Sequence, residues 1–204
     1  MMTFMNSARS KSSGNRIVAF ARDRDGMSAV EFALIMPMMI VLFFGTIEIS
    51  SAFSAHRKVS MAAQTLADLT SRSTSVKDTD IANFRVILNA MITPFSTTPL
   101  KATVTQLYID PNSGVARAQW SKGDVPITQG APVAIPAALI GRDLAGKILV
   151  NQYLIYSTVS YQYVPAVGQV IVKSGVKLDD TSYTRPRQSD CVKYPLATSA
   201  CTTY

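Results

Sequence analysis

Between Phe32 and Ile47 the only residues that are not apolar are Pro37, Gly45 and Thr46. A helix needs about 20 apolar residues to cross a bilayer core, whereas a removable secretory signal carries only about 7–15. The stretch from Met27 to Ile49 is therefore predicted to be a transmembrane helix. Two carboxylates bracket it, Glu31 and Glu48. An ionised carboxylate costs roughly 2.5–3.5 kcal/mol at the centre of a membrane helix. Glu31, near the start of the run, thus calls for a partner, and another subunit can supply one. Pro37 removes one backbone donor and should bend or loosen the helix. Neighbouring helices can shield the freed carbonyl.

The net charge of +7 is unevenly spread. Arg9, Lys11, Arg16, Arg22 and Arg24 precede Gly26, against Asp23 and Asp25. Beyond Gly26 the basic and acidic residues are scattered, with neither a dense basic run nor a recognisable nucleic-acid motif, so nucleic acid is not an expected partner. Basic residues favour the cytoplasmic side of a membrane. The expected orientation is an N-terminal leader, residues 1–26, in the cytoplasm, a span over 27–49, and a domain over 50–204 outside. In a two-membrane bacterium this means an inner-membrane protein with a periplasmic domain.

Three fates of the leader compete. It can be a prepilin-type leader cut after Gly26, leaving the apolar helix on the mature protein. It can stay as an uncleaved anchor. It can also be part of a secretory signal cut near Ala52-Phe53-Ser54, where small residues fit the A-x-A pattern. Helical patterning that runs straight through this last site favours the first two.

The stretch Gly26-Met-Ser-Ala-Val-Glu31-Phe-Ala-Leu-Ile-Met-Pro37 resembles the N-terminal signature of TadE/TadG-like proteins, minor pilins or pseudopilins of tight-adherence (Flp-type) pilus systems. The resemblance is close over residues 22–50. A weaker echo is Arg185-Pro186-Arg187, similar to an Arg-Pro-Arg ending in such chains. It implies cleavage by a prepilin peptidase between Gly26 and Met27, which makes Glu31 the fifth mature residue. It further implies that Glu31 pairs with the free amine of an adjacent subunit, and that the partners are other pilin subunits and the pilus machinery. Asp23 and Asp25, directly before the cut, depart from the usual basic leader.

After Ile49 the chain stays compatible with a helix, and neither glycine nor proline occurs between Gly45 and Pro94. Phe53, Val59, Ala62, Leu66 and Leu69 recur at helical spacing, so one long helix is predicted over 27–70. Its second half, 50–70, should pack on a domain. Asp78 is a potential cap for a second helix over 79–92, with Ile81, Phe84, Leu88 and Met91 on one face. The period then changes to two. Residues 101–109 and 115–120 flank Pro111-Asn-Ser-Gly114, a hairpin signal. Residues 124–146 read as a loop with a helical turn near 137–140. A central strand is expected over 147–164, from its β-branched and aromatic residues, with shorter strands over 169–172 and 177–183. The expected fold is α+β: a long N-terminal helix, then an antiparallel sheet.

Catalytic chemistry is not expected. His56 is the lone histidine, and no nucleophile or orienting acid is placed with it. The chain has no P-loop, G-x-S-x-G or HExxH motif. Asp179-Asp180 reads as a strand-end turn, since a metal site needs further oxygen ligands. No metal or cofactor is expected. The tyrosines at 153, 156, 161 and 163 fit sheet packing better than ligand binding, and Arg185 and Arg187 read as exposed edge charges. Cys191 and Cys201 suit a small disulfide in an exported protein; the alternative is two unpaired thiols in a tail. The reading that unites these features is a membrane-anchored pseudopilin-like subunit that works by assembly, in pilus-based adhesion. The alternative is an uncleaved single-pass envelope scaffold or binding protein.

Overall fold

The computed structural model describes residues 25–165, 175–194 and 201. Most of the leader and the strand expected at 169–172 lie outside these. The fold is α+β, and the chain divides into two compact units at Ile47/Glu48.

Helix α1 spans Asp25–Ser71 and contains Pro37. In its first unit, residues 26–44 are all exposed. In the second unit the helix buries Ala55, Val59, Ala62, Ala63, Leu66 and Ala67. These recur every three to four residues, so they share one face. Phe53, predicted to share it, is 67% exposed. Ala52, its neighbour, packs against the core in its place. Helix α2, Asp78–Ile92, turns Ile81, Phe84, Leu88 and Met91 to the same core. Asp78 does not cap it. Lys77 holds the cap position, and its N–H donates to Asp80 Oδ2 at 2.9 Å. Asp78 is released to bind elsewhere.

Five strands follow: β1 Leu100–Ile109, β2 Ala116–Gly123, β3 Pro132–Val133, β4 Gln152–Tyr163 and β5 Val176–Thr184. They form one antiparallel sheet in the order β3-β2-β1-β4-β5. The β1–β2 connection is the predicted hairpin. Asp110 accepts from Asn112 N–H (2.9 Å) and the Ser113 hydroxyl (2.6 Å), and Gly114 takes φ +72°. That left-handed conformation suits glycine. The Ser113 hydrogen bond, then that of Asn112, holds the Asp110 carboxyl below its ordinary value. A bulge between Gln106 and Leu107 makes Gln119 the extra residue of β2.

The sheet has two buried faces. Val104, Ile155, Val159, Tyr161 and Tyr163 pack toward α1 and α2. Leu107, Ile109 and Leu154 pack under Ile127, Ile135, Leu139 and Ile148 from the 124–150 connection. Strand β4 starts five residues later than expected because 147–151 serve that connection. Lys147 N–H donates to Asp143 Oδ1 (2.8 Å), Leu149 N–H to Gly141 O (3.0 Å), and Asn151 has φ +56°. Asp179 and Asp180 lie within β5, not in a turn: Asp179 accepts from Lys177 Nζ (2.8 Å) and the Ser160 hydroxyl (3.0 Å).

Candidate functional site

The apolar part of α1 is the first candidate. Its large side chains point outward all round: Leu34 is 75% exposed, Val41 71%, and Met38 67%. A helix apolar on every side needs an apolar environment on every side. Among the described residues, α1 is the one helix long and apolar enough to cross a membrane. Glu31 sits on it, exposed, with no hydrogen-bond or ion-pair partner among the described residues. Met27 and Gly26 lie in its first turn. A Cβ built on Gly26 or on Gly45 would meet nothing within 4 Å.

Near the start of the second unit the helix meets the sheet through polar contacts the sequence did not announce. The Tyr163 hydroxyl donates to Glu48 Oε1 at 3.3 Å. Burial pushes the Tyr163 hydroxyl above its ordinary value, and the Glu48 charge pushes the same way. Higher up, the Ser157 hydroxyl donates to the backbone carbonyl of Ala63 at 2.6 Å, fully buried. Only a small-residue face lets a serine reach helix backbone. Lys58 Nζ donates to Met91 O (2.9 Å) and Thr93 O (2.7 Å), tying α1 to the end of α2. His56 is exposed on α1.

A strap formed by residues 185–194 closes the other end of the domain. Arg187 pairs with Asp68 (3.1 Å) and its N–H donates to Ser71 O (2.9 Å), so this arginine docks on α1 rather than standing free at an edge. Arg185 donates to Leu139 O at 3.2 Å. Val192 is buried; its N–H donates to Gln106 Oε1 (2.6 Å), and its carbonyl accepts from Trp120 Nε1 (2.8 Å). Gln106 Nε2 donates in turn to Gln119 Oε1 (2.6 Å), giving the bulge residue a buried role. Asp78 receives the Tyr194 hydroxyl at 2.6 Å, which, more than nearby Lys122, holds its carboxyl low. Cys191 and Cys201 form a disulfide, Cα–Cα 5.9 Å, beside Tyr108 and Tyr153.

On the sheet face away from α1 lies an open groove of about 570 Å³. Lys101, Thr103, Thr158, Ser160 and Gln162 line it. Its hydroxyls and amide offer hydrogen bonds, but no histidine or cysteine stands there to act as base or nucleophile. Tyr156 lies at this groove and stacks on Tyr183 at 5.0 Å, whereas Tyr153, Tyr161 and Tyr163 are buried. Among the described residues, no group of three or more His, Cys, Asp or Glu is placed to hold a metal ion.

The stretch with the least internal support, the exposed apolar helix, is also where the chain is similar to known proteins. Residues 26–68 match the model of the family described as TadE-like protein. This segment is TadE-like. The match covers about a fifth of the chain, and the apolar helix is consistent with a membrane anchor. No curated protein and no solved structure matches the chain. The TadE-like match starts at Gly26 and ends at Asp68, just past the buried alanine face, so it includes Glu31, Pro37 and Glu48 and stops before the sheet.

Proposed function

We propose that this chain is a pseudopilin-like subunit of a tight-adherence pilus system, held in the inner membrane by residues 27–47, with its α+β domain in the periplasm. It works by assembly with other pilin subunits and the pilus machinery, not by catalysis. The observation that carries this reading is the TadE-like helix: apolar on all sides, with Glu31 exposed near its start. In hydrocarbon that carboxylate gains from a cationic partner, because charges attract far more strongly at low dielectric. Part of the gain is lost to desolvation. The amine of Met27 on a neighbouring subunit, freed by cleavage after Gly26, is the proposed partner.

Gly26 supports the same reading. The fold leaves room for a side chain there, and Gly26 lies in the first helical turn without the positive φ that would require glycine. A requirement for glycine would therefore come from outside the fold, as a peptidase would impose it.

The test is the N-terminal residue of protein recovered from membranes, together with Glu31→Ala. A start at Met27 and a variant that inserts normally but fails to assemble are the expected results. Retention of residues 1–26 would favour the uncleaved envelope scaffold. Normal assembly by Glu31→Ala would end the pairing idea.

A further inference from the structure

The turn at residues 142–147 displays a leucine. Leu144 stands fully exposed at its apex, and the turn is braced from within. Asp143 Oδ1 accepts the N–H groups of Ala145 (2.9 Å) and Lys147 (2.8 Å). Gly146 N–H donates to Asp143 O (3.0 Å), and the Arg142 guanidinium donates to Gly146 O (2.9 Å). A side chain held out by so constrained a loop loses little freedom on binding. The Asp143 carboxylate is turned inward, so the exposed cations Arg142 and Lys147 flank the leucine. A lone exposed leucine would need no explanation, but Leu149 and Val150 are exposed on the same connection.

The domain also holds a recess of matching character. Between α2 and the sheet, Ile81, Ala82, Phe84 and Leu88 line a cavity of about 460 Å³, together with exposed Asp78 and Asp124. Arg85 pairs with Asp124, and Lys122 with Asp78 (3.5 Å). The Asp78 side chain nevertheless remains 80% exposed and can meet a further cation. Apolar walls beside an accessible carboxylate complement an apolar knob flanked by cations.

One copy cannot join its own knob to its own socket. The recess opens beside Ala102, near the start of β1. The turn hangs from the other end: Gly141 is bonded to Gln152, which pairs with Ile109 at the end of β1. At about 3.4 Å per residue these ends are roughly 24 Å apart. The recess also lies on the side of the sheet that packs on α1 and α2, while the connection covers the opposite side. We propose that Leu144 of one copy seats in the Ile81–Leu88 recess of a second copy, with Arg142 and Lys147 facing Asp78 and Asp124. Because the two patches differ, the contact is heterologous and propagates head to tail. The inference rests on the assembly reading above but not on the pairing at Glu31.

The test is sedimentation of the full chain in detergent micelles, with Glu31→Ala in every sample so that pairing at Glu31 does not contribute. This chain should self-associate as its concentration rises. Leu144→Asp and Ala82→Trp alter exposed positions, so each should keep its circular dichroism melt and weaken association about tenfold or more. An equimolar mixture of the two should restore pairs, and only pairs, because one copy keeps its socket and the other its knob. Association unchanged in both variants, or a mixture that stays monomeric, would overturn the inference. So would a Glu31→Ala chain that is monomeric throughout; the unsubstituted chain, run alongside, then shows whether assembly through Glu31 survives.

Discussion

The two halves of α1 are one helix built on opposite terms. Residues 26–47 carry large side chains in every direction and bury none of them in the chain. Residues 48–71 place small residues on one face, Ala55, Ala62, Ala63 and Ala67 with Val59 and Leu66, and bury that face against a sheet. Hydrophobicity alone does not separate the halves; side-chain volume and its distribution around the helix do. A helix meant for lipid gains from bulk on all sides. One meant for a sheet gains from a narrow stripe that lets backbone come close, as the Ser157 bond to the Ala63 carbonyl requires.

The comparison breaks most sharply with one substitution made in both halves. Val59→Asp places an unpaired charge in a fully buried site and should cost several kcal/mol, on the order of 3–5, so that the domain fails to fold. Val41→Asp, at a position 71% exposed, should leave the domain's thermal transition in place and lower membrane insertion instead. Circular dichroism melts and alkaline extraction of membranes read the two effects separately. Equal loss of domain folding in both variants would mean that the two halves depend on each other.

Opening the disulfide should act only on the second unit. A cross-link closing a loop of this size contributes roughly 2–4 kcal/mol. Cys191→Ser with Cys201→Ser should lower the domain's stability by about that much. The same change should perturb Trp120 fluorescence, since Val192, next to Cys191, accepts the indole N–H.

Alkali should act on the same unit with a smaller effect. Burial raises Tyr108, Tyr153, Tyr161, Tyr163 and Tyr183 above their ordinary value near 10. A raised folded value means that their contribution is complete below about pH 10, where both states are neutral. It is lost as pH rises through the folded values. A denaturation midpoint that stays constant well above pH 10 would contradict this. The smallest effect belongs to Arg187→Ala. Its ion pair with Asp68 is partly exposed, and such pairs give about 0–1 kcal/mol, so the melt should move little.

Sequence reasoning went furthest where the signal is local. The apolar run needs no tertiary information, because its length and composition alone predict a helix long and apolar enough to cross a bilayer. The hairpin around Pro111–Gly114 and the apolar face of α2 are equally local, resting on turn chemistry and periodicity. Reading failed where a residue's role depends on what lies opposite. Phe53 fits the stripe by spacing yet faces outward, its neighbour Ala52 taking the core-facing position. Asp78 has the chemistry of a cap but serves Tyr194, distant in sequence. Arg187 and Asp68, Glu48 and Tyr163, and Gln106 and Val192 are each brought together only by the fold.

What the sequence determined by itself is thus the TadE-like helix, its single early carboxylate and the α+β order of elements, because each is written in contiguous residues. Only the tertiary structure decided where the helix stops being a lipid-compatible rod and becomes part of a domain. That boundary depends on Tyr163 and Ser157 arriving from a strand about a hundred residues later, and periodicity within a helix carries no record of its neighbours.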